Sequence, residues 1–246
     1  MHKHHPDVVD YFLKRILRRD TLPPDEERAL REAADGVQSH AAGTDLVSEG
    51  DRPDHSTLLI DGFTTRYRLL GNGQRQITAI HVPGDFVDLQ SFVLKTMDHS
   101  VGALTDCKVV AFPHVALKRI TENFPHLTRI MWLLTMLDAA IHREWLATMG
   151  GLPAARQMAH LICEMYIRLQ VVGLADDGRF TLPMTQADLG DTLGLSSVHV
   201  NRVLQELRAS GLISWQGQKV TILDWIRLQK AAEFDPTYLH LSIEPR

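Results

Sequence analysis

The chain has 246 residues, 44% of them hydrophobic and 23% charged, which fits a globular protein of one large domain or two ordinary ones. A formal net charge of −4 argues against non-specific nucleic-acid binding by the whole surface and leaves room for a local basic patch. No apolar run approaches the roughly 18 residues of a membrane span, the start carries no secretory pattern, and two cysteines make no disulfide framework, so a cytoplasmic protein with no membrane partner is expected.

In chain order, "HKHH" at residues 2–5 has metal-binding side chains, though histidine-bearing termini are common without a metal. Residues 8–34 read as two helices, the second started by "LPPDEE" with Pro24 in its first turn. Residues 40–115 read as strands. "TLLIDGFTTRYRLL" is rich in β-branched and aromatic residues, and "GNG" at 71–73 is a hairpin signal before "QRQITAIHV". "EGD" at 49–51 and "PGDF" at 83–86 mark further turns.

From Pro125 to Met149 the chain is apolar at Leu127, Ile130, Leu134, Leu137 and Ile141, steps of three and four that form a coiled-coil seam. Trp132, Leu133, Met136 and Ala140 add a second apolar face, so this helix needs cover on two sides. The seam is assigned to a second subunit, with an ordinary buried core helix as the alternative. Gly150-Gly151-Leu152-Pro153 breaks the helix and is the expected hinge. On the next helix His160, Cys163 and Glu164 stand at i, i+3 and i+4, a spacing that can hold zinc and that also suits a packed cysteine with polar neighbours.

Residues 185–213, "TQADLGDTLGLSSVHVNRVLQELRASGLI", read as two short helices around a tight turn. Thr185 and Asp188 have capping-box spacing, Gly194 suits a left-handed helix stop, and Ser196 can cap the second helix. There Val200, Val203, Leu204 and Leu207 share one stripe, while Ser197, Val198, Asn201, Arg202 and Gln205 face the other way. "LISWQGQKVTIL" follows as two short strands turning at Gln216-Gly217. A second helix of this kind can enter a major groove: Arg202 can bond a guanine, and Asn201 or Gln205 an adenine. Thr185, Gln186, Ser196, Ser197, His199 and Lys219 are candidates for the duplex contact as well, with Ser197, His199 and Lys219 suited to phosphates. A small helical domain with a solvated face is the plain alternative.

Through Thr185, Gly190, Gly194, Ser196, Val200, Arg202, Leu204, Leu207, Leu212 and Ile213, this stretch resembles the helix-turn-helix of the Crp/Fnr superfamily of bacterial transcription regulators. The glycines at 50, 62, 73 and 84 match the turns of that family's cyclic-nucleotide-binding-type β-roll, so the resemblance covers about residues 10–230. It implies an α+β chain: N-terminal helices and a double-stranded, jelly-roll-like β-roll sensor domain over 1–124, a dimerisation helix over 125–150, and a winged helix-turn-helix over 151–246. It also implies a homodimer on double-stranded DNA that acts with RNA polymerase.

The family's cyclic-AMP members place a Glu and an Arg-Ser pair after "GDF". Here gapless alignment puts Leu89 at the Glu and His99 at the Arg; only Ser100 remains, with Asp88 beside the acid position. Asp88, Leu89, His99 and Ser100 are therefore the candidate effector pocket, one lacking the fixed cation that a cyclic phosphate requires. No cysteine precedes Cys107, which excludes the N-terminal iron–sulfur cluster of the oxygen-sensing branch. His81, in a strand, is a weak counterpart to the haem ligand of another branch. No cofactor is assigned, and a small-molecule effector stays open. No P-loop, dinucleotide fingerprint, G-x-S-x-G or H-E-x-x-H occurs, so no enzyme is expected. Val198 stands where the family commonly has a Glu, four residues before the Arg. Two alternatives to an effector-responsive DNA-binding regulator are a nucleotide-sensing module whose C-terminal part binds protein and a regulator without an effector.

Overall fold

The computed structural model describes residues 8–246, so the histidines at positions 2, 4 and 5 lie outside the described part. The chain forms two compact units: residues 1–68, 80–138 and 241–246, and residues 69–79 with 139–240. These bounds differ from the expected division at the glycine pair, because helix 125–151 is divided between the units and the tip of one hairpin, residues 69–79, falls in the second.

The first unit begins with α1 (Asp10–Leu17) and α2 (Pro24–Ala33), where Pro24 occupies the first helical turn and costs no hydrogen bond. Seven strands follow: β1 (Asp35–His40), β2 (Asp45–Val47), β3 (His55–Asp61), β4 (Thr64–Leu69), β5 (Arg75–His81), then, after the one-turn α3 (Ser91–Leu94), β6 (Ser100–Ala103) and β7 (Cys107–Pro113). They form a three-stranded sheet ordered β1-β7-β3 and a four-stranded sheet ordered β2-β6-β4-β5. Helices α4 (His114–Asn123) and α5 (Pro125–Gly151) come next.

Successive residues of a strand face opposite ways, and here both directions are covered. Leu58 and Val110 belong to one core with Phe12, Leu30, Phe112, Leu127 and Ile130. Their neighbours Leu59 and Val109 belong to another with Val47, Val87, Val101 and Ala103. That is why "TLLI" reads as an unbroken apolar run. Gly62, at φ +82°, turns β3 into β4 where an added Cβ would lie 2.4 Å from the Asp106 carbonyl oxygen, so no other residue fits unchanged.

The inward face of α5 corrects one expectation. Leu127 and Ile130 are buried in the core of their own unit, Leu134 packs on it, and Leu137 and Ile141 are buried too. The seam of 127–141 is thus covered within the chain. The apolar positions left open on α5 are Trp132 at 67% exposure, Met136 at 48% and Leu146 at 69%. A period of three and four marks a helix with two apolar faces without saying which one is the inner.

The second unit holds α6 (Ala154–Val172), β8 (Ala175–Asp176), β9 (Arg179–Thr181), α7 (Gln186–Leu193), α8 (Ser197–Ala209), β10 (Ile213–Gln216), β11 (Lys219–Ile222), α9 (Trp225–Ala231) and a 3-10 turn at Pro236–Leu239. Pro153 precedes α6 in an extended conformation, the break expected there. The strands form one antiparallel sheet, β10-β11-β9-β8, twice as wide as the two-stranded wing read from the sequence. The missing half had a signal: Asp177-Gly178, both at positive φ, make the turn between β8 and β9. Strands of two and three residues are too short to show alternation.

Candidate nucleic-acid interface

Three local devices set α7 and α8. Thr185 Oγ1 accepts from the Asp188 amide at 3.1 Å, and the Asp188 carboxylate accepts from the Thr185 amide at 3.0 Å, a reciprocal cap on α7. Gly194, at φ +67°, ends α7. Ser196 Oγ accepts from the His199 amide at 3.3 Å and starts α8. The helices meet closely because Gly190 has no side chain: a Cβ there would lie 2.5 Å from the Leu195 carbonyl oxygen. Val200, Val203, Leu204 and Leu207 are buried on the inner face of α8, the helix that packs on α6 and α7.

The outer face of α8 carries Ser197, Val198, Asn201, Arg202 and Gln205. Val198 is 82% exposed, Ser197, Arg202 and Gln205 are exposed, and Asn201 and His199 are half-buried. Among the described residues, the Arg202 guanidinium and the Asn201 and Gln205 amides have no protein partner. Donors and acceptors without a partner, on a helix face the core does not need, are what base-edge reading requires. Thr185 and Gln186 are exposed at the start of α7, and Lys219 is exposed where β11 begins, beside the turn at Gly217. That turn is pinned by Trp215 Nε1 donating to the Gly217 carbonyl at 3.0 Å. Arg208, a basic residue near the end of α8, instead donates to the Trp215 carbonyl at 2.6 Å and so belongs to the wing's scaffold.

The candidate effector residues have the opposite character. Asp88 is buried and accepts from the Thr57 amide and hydroxyl, and burial pushes its carboxyl up to about 6. Leu89 sits in the core. His99 is buried, bonded to Gln90 at 3.1 Å and to Asp98 at 2.7 Å; burial, then the Arg66 cation, hold its imidazole below the ordinary histidine value. Ser100 Oγ accepts from the Glu49 amide at 2.9 Å. Asp88 and Leu89 therefore serve the roll's own packing. The buried cation of this region is Arg66 on β4, which sequence reasoning missed; its Nη1 donates to Asp138 of α5 at 2.8 Å, and no motif announces a partner so distant in sequence.

His81 is buried with Nδ1 3.1 Å from Thr64 Oγ1. His160, Cys163 and Glu164 are buried together on α6, but Glu164 is occupied by Trp145 Nε1 at 3.0 Å, Tyr238 OH at 2.8 Å and Arg168 Nη1 at 3.0 Å. Among the described residues no group of three or more His, Cys, Asp or Glu could hold a metal ion. Burial raises both thiols, that of Cys107 to about 11, so neither is a ready thiolate.

Residues 37–124 match the family of cyclic nucleotide-binding domains, and residues 156–231 match the Crp-like helix-turn-helix domain. The chain is 28% identical to the transcriptional activator protein FnrL of Cereibacter sphaeroides, covering 85% of this chain and 86% of that one. It is 27% identical to the nitrogen fixation regulation protein FixK of Bradyrhizobium diazoefficiens, covering 78% and 80%. Among solved structures it resembles FixK2 from Bradyrhizobium japonicum, with a TM-score of 0.74 and 25% identity over 80% of this chain and 96% of that one. With both domains matched in order and relatives that are regulators rather than enzymes, the chain belongs to the Crp/Fnr superfamily and is a DNA-binding transcription regulator of that type.

Proposed function

We propose that this regulator reads a two-fold operator as a homodimer, responds to a signal other than cyclic AMP, and acts on RNA polymerase in the cytoplasm. The open face of α8 carries the reading: three polar side chains, Asn201, Arg202 and Gln205, stand ready for base edges. A duplex reader of this kind binds two half-sites about one helical turn apart, which calls for two copies. The exposed Trp132, Met136 and Leu146 on α5 supply an apolar strip for the second copy. No described helix is long and apolar enough to cross a membrane, in keeping with a partner that is DNA.

Selection from random duplexes, with light scattering on the selected complex, tests this. Two inverted half-sites, each with a fixed G, and two chains per duplex are expected; one half-site with one chain would overturn it. Trp132→Asp should give a single-chain mass and weaker operator binding. Calorimetry with cyclic AMP should show no binding, since Leu89 and an imidazole whose cationic form burial disfavours replace the acid and the fixed cation; micromolar affinity would defeat that part. A second reading, regulation by concentration with no effector, is favoured by the internal bonds of Asp88, His99 and Ser100.

A further inference from the structure

The tip of the β4–β5 hairpin, residues 69–79, belongs to the same compact unit as α7 and α8. Two consecutive side chains hold α7 there. Arg75 Nη2 donates to Asp188 Oδ1 at 2.6 Å and its Nε to Asp191 Oδ2 at 2.8 Å. Gln76 Nε2 donates to the Asp191 carbonyl at 2.7 Å, in the last turn of α7 where backbone acceptors run out of helical donors. The tip itself is rigid by local means: the Leu70 amide donates to the Gln74 carbonyl, the Gly73 amide to the Leu70 carbonyl, and the Asn72 side chain is tied to Gln74.

Asp188 and Asp191 pose a problem for a DNA-binding helix. In a helix-turn-helix the first helix crosses the sugar–phosphate backbone. Asp188 lies in the first turn of α7, next to the exposed Thr185 and Gln186, and Asp191 is one turn further on. Two carboxylates near a row of phosphates oppose binding. Asp188 cannot be dispensed with, because it is the reciprocal cap of α7. A guanidinium forked across both carboxylates offsets one of their two negative charges and screens both, without taking Asp188 from its capping bonds, since Asp188 uses Oδ2 for the cap and Oδ1 for Arg75.

We propose that Arg75 is a positioning residue for DNA binding: the β4–β5 hairpin delivers it to α7 to offset the negative charge of Asp188 and Asp191, while Gln76 sets the register of the hairpin on the helix. This rests on α7 and α8 reading a duplex. Arg75 and the two acids are over 110 positions apart in the chain, so no local motif reveals the arrangement.

The experiment is fluorescence anisotropy with the full chain and a duplex from the random-sequence selection, at about 50 mM salt. Wild-type protein that binds no duplex would sink the DNA-reading proposal itself, before Arg75 is in question. Given binding, Arg75→Ala should weaken it about tenfold with sequence preference unchanged, and Arg75→Lys, which keeps the charge, should lose no more than about threefold. Asp191→Asn in the Arg75→Ala background should recover most of the loss, because it removes one of the two carboxylates left without their cation and restores the net charge of the site. Circular dichroism on each variant separates these effects from unfolding. A silent Arg75→Ala overturns the proposal, and so does a loss that Asp191→Asn fails to repair, which would mark Arg75 as a direct phosphate contact or a purely mechanical tie.

Discussion

The outer face of α8 and the roll's Asp88, His99 and Ser100 carry similar chemistry in opposite states. Ser197, Asn201, Arg202 and Gln205 stand on a helix surface, and the charged and amide groups among them bond nothing among the described residues. Asp88, His99 and Ser100 are each tied to their own chain, to Thr57, Gln90 with Asp98, and Glu49. The difference separates residues kept for an outside partner from residues consumed by folding. A buried polar group must find a bond or destabilise the fold, whereas an exposed one can wait for a ligand at little cost.

The first way to break the comparison is to damage only the interior. Leu127 is fully buried in the core of the first unit, so Leu127→Ala should lower unfolding stability by about 2–5 kcal/mol. Chemical denaturation measures that. The pattern of bases selected and the mass in solution should both stay as in the wild type, because Leu127 faces its own core. A single-chain mass would return this residue to the subunit interface.

Much of this contrast was legible beforehand, and the reasons are physical. The caps at Thr185 and Ser196, the stop at Gly194 and the two stripes of α8 depend on neighbours within a few residues, so the sequence displays them whole. The strands and glycine turns of the roll were legible for the same reason. What was not legible depends on partners far along the chain. Nothing near Asp88 shows that Thr57 takes its carboxylate, nothing near Arg66 shows Asp138, and nothing near Arg75 shows Asp188. The 127–141 seam has the same cause: period fixes which residues share a face, and only the fold says what that face meets.

A second test uses pH. The Asp88 carboxyl sits at about 6 when folded against an ordinary 3.8, because burial disfavours its charge. Between these values the folded chain holds a proton that the unfolded chain has released, so stability falls as pH rises through this window. A difference of about 2 in pKa corresponds to about 3 kcal/mol. Asp88→Asn keeps one oxygen to accept from the Thr57 amide, offers an N–H to the Thr57 hydroxyl in place of the second acceptor, and has no charge to bury. Denaturation at a series of pH values from about 4 to 7 should show the wild type losing up to about 3 kcal/mol relative to this variant. Parallel curves would show that Asp88 titrates normally. Operator affinity at pH 7 should not change, as expected of a residue consumed by folding.

On the α8 side, Arg202→Ala should leave thermal stability within about 0.5 kcal/mol, since its side chain is exposed and bonds nothing among the described residues. It should cost about 1–3 kcal/mol of operator binding and relax selectivity at one base pair. The companion position carries Val198, which has no hydrogen-bonding group and can touch a thymine methyl instead. Selection should therefore return a fixed G in each half-site without the position that the family's Glu commonly holds. Equal weakening of every duplex by Arg202→Ala would make this residue a phosphate clamp and reverse the assigned orientation of α8.

The smallest effect sharpens the comparison within the open face itself. Lys219 begins β11 and is exposed beside the wing turn, off the recognition helix. A point charge on a flexible stem there suits a phosphate, which positions a protein without identifying a base. Lys219→Ala should thus weaken all duplexes together, by about 1 kcal/mol at low salt and less as salt rises. Losing one phosphate contact releases about one counterion fewer, so the slope of log affinity against log salt should shrink by about one. Anisotropy titrations at several salt concentrations, on a selected and an unrelated duplex, measure both quantities. A Lys219→Ala variant that changed base preference while leaving the slope alone would move the wing from the backbone into a groove, and the division between reading and positioning would then run through the wing rather than between it and α8.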